Sequence, residues 1–166
     1  MEAINQTVSR AYVITISDRA SAKKMTDESG PALVRILKQA DFEVAGPEVV
    51  PDNMQQISDS IVAAVAAGAD VVVTTGGTGI SARDVTPQAT SSVIDFELPG
   101  IGEAMRRVGA ASTPMAALSR ATAGVRGRTL IVNVPGSVNG ATESLEAVMP
   151  VLGHAIKLLH GDTSHD

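Results

Sequence analysis

Between Ala69 and Pro87 a run of β-branched residues breaks directly into a glycine-rich loop, and few folds accommodate that junction. Val71, Val72 and Val73 show no polar alternation, the pattern of a strand covered on both faces, so they belong in the middle of a parallel sheet. Thr74-Thr75-Gly76-Gly77-Thr78-Gly79 follows at once. Its glycines let the backbone turn tightly and bring N–H groups close to an anion, which outlines a phosphate cradle. Thr86-Pro87 reads as N-cap and first helical residue, so the next helix starts well downstream and the intervening loop carries Arg83 and Asp84.

The remaining segments repeat this alternation. Ala11 to Ile16 is a first strand, ending in Ser17-Asp18-Arg19, and Ala20 to Gly30 is a polar surface loop or a lid. Ser29 or Gly30 with Pro31 opens a helix on which Leu33, Ile36 and Leu37 recur at helical spacing. A second strand runs from Phe42 to Val50, with Pro47 as a point of interruption. Asp52 or Asn53 then caps a helix whose buried stripe is Ile57, Ile61, Val62 and Val65 and whose end falls near Gly68. Beyond the glycine loop come a short helix over Pro87 to Ile94 and a break over Glu97 to Gly102. Helical pattern resumes over Glu103 to Ala111, and Thr113-Pro114 starts a further helix to about Ala121. Thr129 to Val134 is the fourth strand and ends in Pro135-Gly136-Ser137. Leu145, Val148, Val151, Leu152, Ala155, Ile156 and Leu159 lie on one face of a last helical segment, which Pro150 kinks or restarts.

Alternating strands and helices in 166 residues predict one α/β domain, a three-layer α/β/α sandwich around a mainly parallel, doubly wound sheet, with loose termini over 1–10 and 161–166. In such sheets ligands bind beyond the carboxyl ends of the strands. Ser17-Asp18, Asp52, Thr74 to Asp84 and Pro135-Gly136-Ser137 each follow a strand, so all four clusters are expected on one edge of the sheet.

Aromatic residues make up only 2% of the chain and the net charge is -5, which argues against a nucleic-acid partner. The absence of Cys removes disulfides, thiolate chemistry and Cys-ligated zinc, and is compatible with a reducing cytoplasm. No apolar run is long enough to span a bilayer, and Met1 to Ser9 has no signal-peptide pattern, so a soluble, cytoplasmic protein without a membrane partner is expected.

Gly77-Thr-Gly79-Ile-Ser-Ala82 formally fits the dinucleotide pattern G-x-G-x-x-A, but that turn must enter its helix immediately and here the helix starts at Thr86-Pro87. No Gly-Lys-Ser or Gly-Lys-Thr is present for a Walker A loop, and no Gly-x-Ser-x-Gly for a hydrolase. His154, His160 and His165 sit in the last helix and tail without metal-ligand spacing. A phosphate cradle flanked by Asp52 and Asp84 suits magnesium-bound nucleotide, because Mg²⁺ takes one or two carboxylates plus substrate phosphates. Arg106 and Arg107 read as a solvated helix face.

Thr74 to Gly79, Arg83-Asp84-Val85-Thr86-Pro87, Pro99-Gly100-Ile101-Gly102-Glu103 and Pro135-Gly136-Ser137 together resemble the MogA/MoaB family of molybdenum-cofactor biosynthesis proteins, which includes the gephyrin G domain. The resemblance extends from Tyr12 to about Leu159. It implies molybdopterin adenylyltransferase activity, in which the terminal phosphate of molybdopterin attacks the α-phosphate of MgATP to give adenylylated molybdopterin and pyrophosphate. It also implies that Asp52 and Asp84 are the functional acids and Mg²⁺ ligands and that Thr75, Gly76, Gly77, Thr78 and Gly79 take the nucleotide phosphates. Ser17, Asp18, Glu103, Pro135, Gly136 and Ser137 then fall on the pterin side or pocket wall. A homotrimer or hexamer and contact with other molybdenum-cofactor enzymes complete the expectation. Many family members read Pro-Gly-x-Pro where this chain has Val138, and some lack clear adenylylation, so a non-catalytic molybdopterin-binding or assembly protein is the alternative.

Overall fold

Each β-branched run forms a strand, and together they build one sheet in a computed structural model that describes residues 8–164. β1 (Arg10–Ile16), β2 (Glu43–Val50), β3 (Val71–Thr75) and β6 (Thr129–Val134) are parallel neighbours in the order β2-β1-β3-β6. Period-two alternation explains why one valine run can be wholly buried. Val71 and Val73 pack into a core with Leu33, Leu37, Leu145, Val148 and Leu152, from α2 (Ser29–Gln39) and α6 (Val138–Leu159). Val72 points the other way, to Ile57 and Ile61 of α3 (Met54–Ala66) and Ala89 of α4 (Thr86–Ser91). The expected three-layer sandwich is therefore present.

At one side the sheet turns antiparallel, where β5 (Ala123–Arg126) pairs with β6 and β4 (Phe96–Glu97) with β5. These short strands lack a β-branched run, and β5 forms because the turn at Gly127, with φ +58°, folds Ala123–Arg126 back on β6. β2 carries one extra residue opposite Val13, at Gly46 and the cis-linked Pro47, and continues past it.

Several boundaries differ from expectation for local reasons. Pro99 occupies the first turn of α5 (Pro99–Ser112), so the helix starts inside the segment expected to break it. Thr113 does cap the next element, accepting from Met115 N, but that element is a 3₁₀ helix over Pro114–Leu118. Pro150 lies inside a continuous α6 on its exposed face. Of the termini expected to be loose, Arg10 opens β1, and 1–7 and 165–166 lie outside the described residues. No helix of the described residues is long and apolar enough to cross a membrane.

Candidate functional site

The crossover from β1 to β2 runs through α2 on one face, and that from β2 to β3 through α3 on the other, so the winding reverses between β1 and β3. That reversal opens a crevice at the carboxyl ends of the two strands. Ser17, Gly76 and Gly77 lie there. Gly76 has φ +103° and its bare Cα faces the carbonyl of Ile16, so a side chain would collide with the neighbouring strand.

The loop after β3 presents uncommitted donors. Gly76 N bonds to Val134 O at 3.1 Å, whereas the N–H groups of Gly77, Thr78 and Gly79 donate to no other described residue. Thr75 is buried, its hydroxyl donating to Pro135 O at 2.8 Å, and so ties β3 to the end of β6. Thr86 is not the cap. It is buried, and its hydroxyl donates to Gly76 O at 2.9 Å, which fixes the near end of the loop from inside. At Gly136 the chain passes close over Gly76, and Ser137 caps the 22-residue α6 by accepting from Gly140 N at 3.1 Å. The amino end of α6 thus joins the loop amides in favouring an anion.

Asn53 is the cap of α3, accepting from Gln56 N at 3.0 Å, which leaves Asp52 available for another role. Asp52 and Asp18 hold one another: Asp18 N donates to Asp52 Oδ2 at 3.0 Å, and Asp52 N donates to Asp18 Oδ1 at 2.9 Å. Burial keeps the Asp52 carboxyl above the ordinary aspartate range. The charges of Asp18 and Asp84 push the same way, opposed by the Asp18 N–H and by Arg83. Arg83 stands 3.7 Å from Asp18, with side chains 76% and 40% exposed, a weak surface pair. Asp84 Oδ2 accepts from Ser81 N at 2.9 Å.

The glycines mark where these carboxylates lie. A Cβ on Gly77 would stand 3.2 Å from Asp52 Oδ1, and one on Gly79 would stand 2.8 Å from Asp84 Oδ2. No described residue donates a hydrogen bond to Asp52 Oδ1 or Asp84 Oδ1. Among the described residues no three His, Cys, Asp or Glu side chains gather to hold a metal alone. Two carboxylates with free oxygens, one of them with its pKa raised, beside an anion cradle nevertheless fit a divalent cation completed by phosphate and water.

Two cavities meet at this point. One of about 520 Å³ is lined by Ser17, Asp27, Asp52 and Thr75, the other of about 700 Å³ by Met105, Arg106, Met115, Ser119 and Pro135. Both volumes suit small-molecule ligands. Gly77, Asp84, Gly136 and Ser137 belong to both walls and form the ridge between them. Glu103 is exposed on α5 and lines neither. Asp27 escaped the sequence reading: its carboxylate accepts from Thr15 Oγ1 at 2.7 Å and Gly30 N at 3.0 Å, and only the polarity of the Ala20 to Gly30 loop hinted at it. Arg106 is half-buried and not a solvated face, because its Nη1 donates to Ala121 O at 2.9 Å and Ser119 O at 3.3 Å.

A mixed α/β sheet with free loop amides, paired acids and two confluent cavities at its switch point is an arrangement suited to a small, phosphate-bearing ligand. Residues 12–154 match the family described as "Probable molybdopterin binding domain", and the chain belongs to that family. It is 39% identical over 156 residues to a molybdopterin adenylyltransferase of Helicobacter pylori strain J99, covering 90% of this chain and 87% of that one. A gephyrin of Dictyostelium discoideum is 38% identical over 158 residues, and there the match spans 89% of this chain but only 22% of the relative. Among solved structures, the molybdopterin biosynthesis enzyme MoaB of Thermus thermophilus superposes with a TM-score of 0.87 at 48% identity, over 93% of this chain and 98% of that one.

Proposed function

We propose that this protein is a molybdopterin adenylyltransferase of molybdenum-cofactor biosynthesis, joining the terminal phosphate of molybdopterin to the AMP moiety of MgATP. The observation that carries the reading is the ridge: unbonded amides at Gly77, Thr78 and Gly79 lie between Asp52 and Asp84, where two ligand-sized cavities meet. A phosphate oxygen of molybdopterin forms the new bond to the α-phosphorus of ATP as the bond to the β-phosphate bridge breaks, and the electron pair leaves with pyrophosphate. The nucleophile is already ionised, so no general base is required, and among the described residues no histidine lines either wall.

The residues act through position and charge. The loop amides and the amino end of α6 face the phosphates and require no reorganisation as charge shifts during the transfer. Thr75 and Thr86 hold the loop from within, and the reciprocal Asp18–Asp52 bonds keep Asp52 turned to the ridge. Asp52 and Asp84 would hold Mg²⁺, which supplies Lewis-acid charge neutralisation when bound. A homotrimer or hexamer located in the cytoplasm is part of the same reading and rests on the family resemblance.

The test is conversion of purified molybdopterin and MgATP by the wild type, following the AMP conjugate and pyrophosphate together. Stoichiometric appearance of both supports the transferase. Tight molybdopterin binding without conjugate assigns the chain to the binding or assembly role and directs attention to Val138.

A further inference from the structure

We propose that Arg120 is a positioning residue for this site, a splint that fixes the loop between Gly79 and Asp84 by its main chain. Arg120 belongs to no motif and follows the 3₁₀ helix as a half-buried side chain. Its own N–H donates to Thr78 O at 2.8 Å, its Nε to Gly79 O at 2.8 Å and its Nη2 to Asp84 O at 2.6 Å. Nη1 reaches Gln88 Oε1 of α4 at 3.1 Å. One residue therefore collects three carbonyls of the loop and anchors them to the helix that follows. A planar guanidinium is suited to this, since its fork holds two acceptors in fixed relation.

Between Gly79 and Asp84 the loop has two other bonds, Ser81 N to Asp84 Oδ2 and Asp84 N to Ser81 O, and both are internal to it. They shape the turn without tying it to the body of the domain. Arg120 supplies that tie, beyond the weak surface pair of Arg83 with Asp18. Its bond to Asp84 goes to the carbonyl and not to the carboxylate, so it sets where the acid stands without neutralising it. The splint is braced in turn: Arg106 of α5 donates to Ser119 O and Ala121 O, the carbonyls on either side. A line of contacts thus runs from α5 through residues 119–121 to the loop that carries Asp84.

The kinetic arm of the test rests on the adenylyltransferase reading, and the exchange arm does not. Wild type, Arg120→Ala and Arg120→Lys are compared by thermal melting, by amide hydrogen exchange of the peptide spanning Gly79 to Asp84, and by adenylylation kinetics with and without added guanidinium. In Arg120→Ala we expect exchange in the loop to rise at least about tenfold relative to β1 and β3, and kcat/KM to fall on the order of 100-fold, the scale of a misplaced catalytic group. Millimolar guanidinium should recover roughly tenfold of that loss in Arg120→Ala and none in Asp84→Asn, with Arg120→Lys intermediate. Loop exchange equal to wild type in the alanine variant overturns the proposal, as does an activity loss that guanidinium leaves untouched. If Arg120→Ala fails to fold, the same loop-to-core comparison in Arg120→Lys decides. If the wild type makes no conjugate, the transferase reading falls and the exchange data still decide the splint.

Discussion

Gly79→Ala separates the geometry of the site from the stability of the fold, because the two should move in opposite directions. The added Cβ would stand 2.8 Å from Asp84 Oδ2, whereas ordinary contact begins near 3.4 Å, so the carboxylate must retreat by about 0.6 Å. The obstacle is the end of a side chain, and the φ of Gly79 lies outside the left-handed region, so the backbone can stay in place. A 1 Å displacement of a catalytic group costs up to about 100-fold, and 0.6 Å corresponds to roughly tenfold in kcat/KM, about 1.4 kcal/mol. Replacing glycine at a compatible position also restricts the unfolded chain and stabilises by about 0.4–1 kcal/mol. For a chain of this length that raises Tm by about 1–4 °C. The assay pairs calorimetry with initial rates of pyrophosphate release over a Mg²⁺ titration, where the displaced acid should shift the Mg²⁺ midpoint upward. Unchanged kcat/KM at raised Tm would mean that Asp84 does not act from the place described. A large drop in Tm would mean that the loop backbone, and not the carboxylate, absorbs the clash.

Asp84→Asn should keep the fold, since an amide oxygen can still accept from Ser81 N, and lose on the order of 100-fold or more in turnover; wild-type rates would remove Asp84 from the mechanism. The folded chain holds the Asp52 proton more tightly than the unfolded chain, so Asp52's contribution to stability falls as pH rises from the ordinary aspartate range through its raised pKa. The Tm of Asp52→Asn relative to wild type should therefore climb with pH across the mildly acidic range, and a flat difference contradicts the raised pKa. Asn133 is fully buried and donates from Nδ2 to the hydroxyls of Thr74 and Thr90 at 2.9 Å each. Asn133→Ala should cost about 2 kcal/mol or more, a fall in Tm of about 4–8 °C, and a shift under about 1 °C would show that the network contributes little.

How far the sequence discloses the fold depends on whether a residue's role is local. The valines of β3 announce a strand covered on both faces because that environment selects β-branched residues directly, and Thr129 to Val134 does the same for β6. β5 is invisible because one valine among Ala, Gly and Arg is too weak a strand signal and the pairing with β6 determines it. The four-residue helix α1 (Asp18–Ser21) is hidden for the same reason. At the site, the glycine loop and the two acids are legible as motifs at strand ends. Composition could not decide between Asp52 and Asn53 as cap, since both residue types cap well; only the Asn53 to Gln56 bond separates them. Arg106 and Arg120 could not be found, because each acts on carbonyls distant in sequence or on main chain of any sequence. Thr86 misled for a related reason: a threonine before proline suggests a cap, yet its hydroxyl serves Gly76 ten positions earlier.

At Gly77 and Gly136 no side chain stands on the wall shared by the two cavities. A molecule with one part in each cavity can cross it without a detour, so joining a ligand of one cavity to a ligand of the other turns the second binding event into an intramolecular one. With a short linker the effective concentration of the second part is on the order of millimolar, and two weak fragments become one strong binder. The same proximity slows release, since a joined molecule leaves only when both halves detach together. Any compound joined across the ridge is thus retained longer than either of its parts.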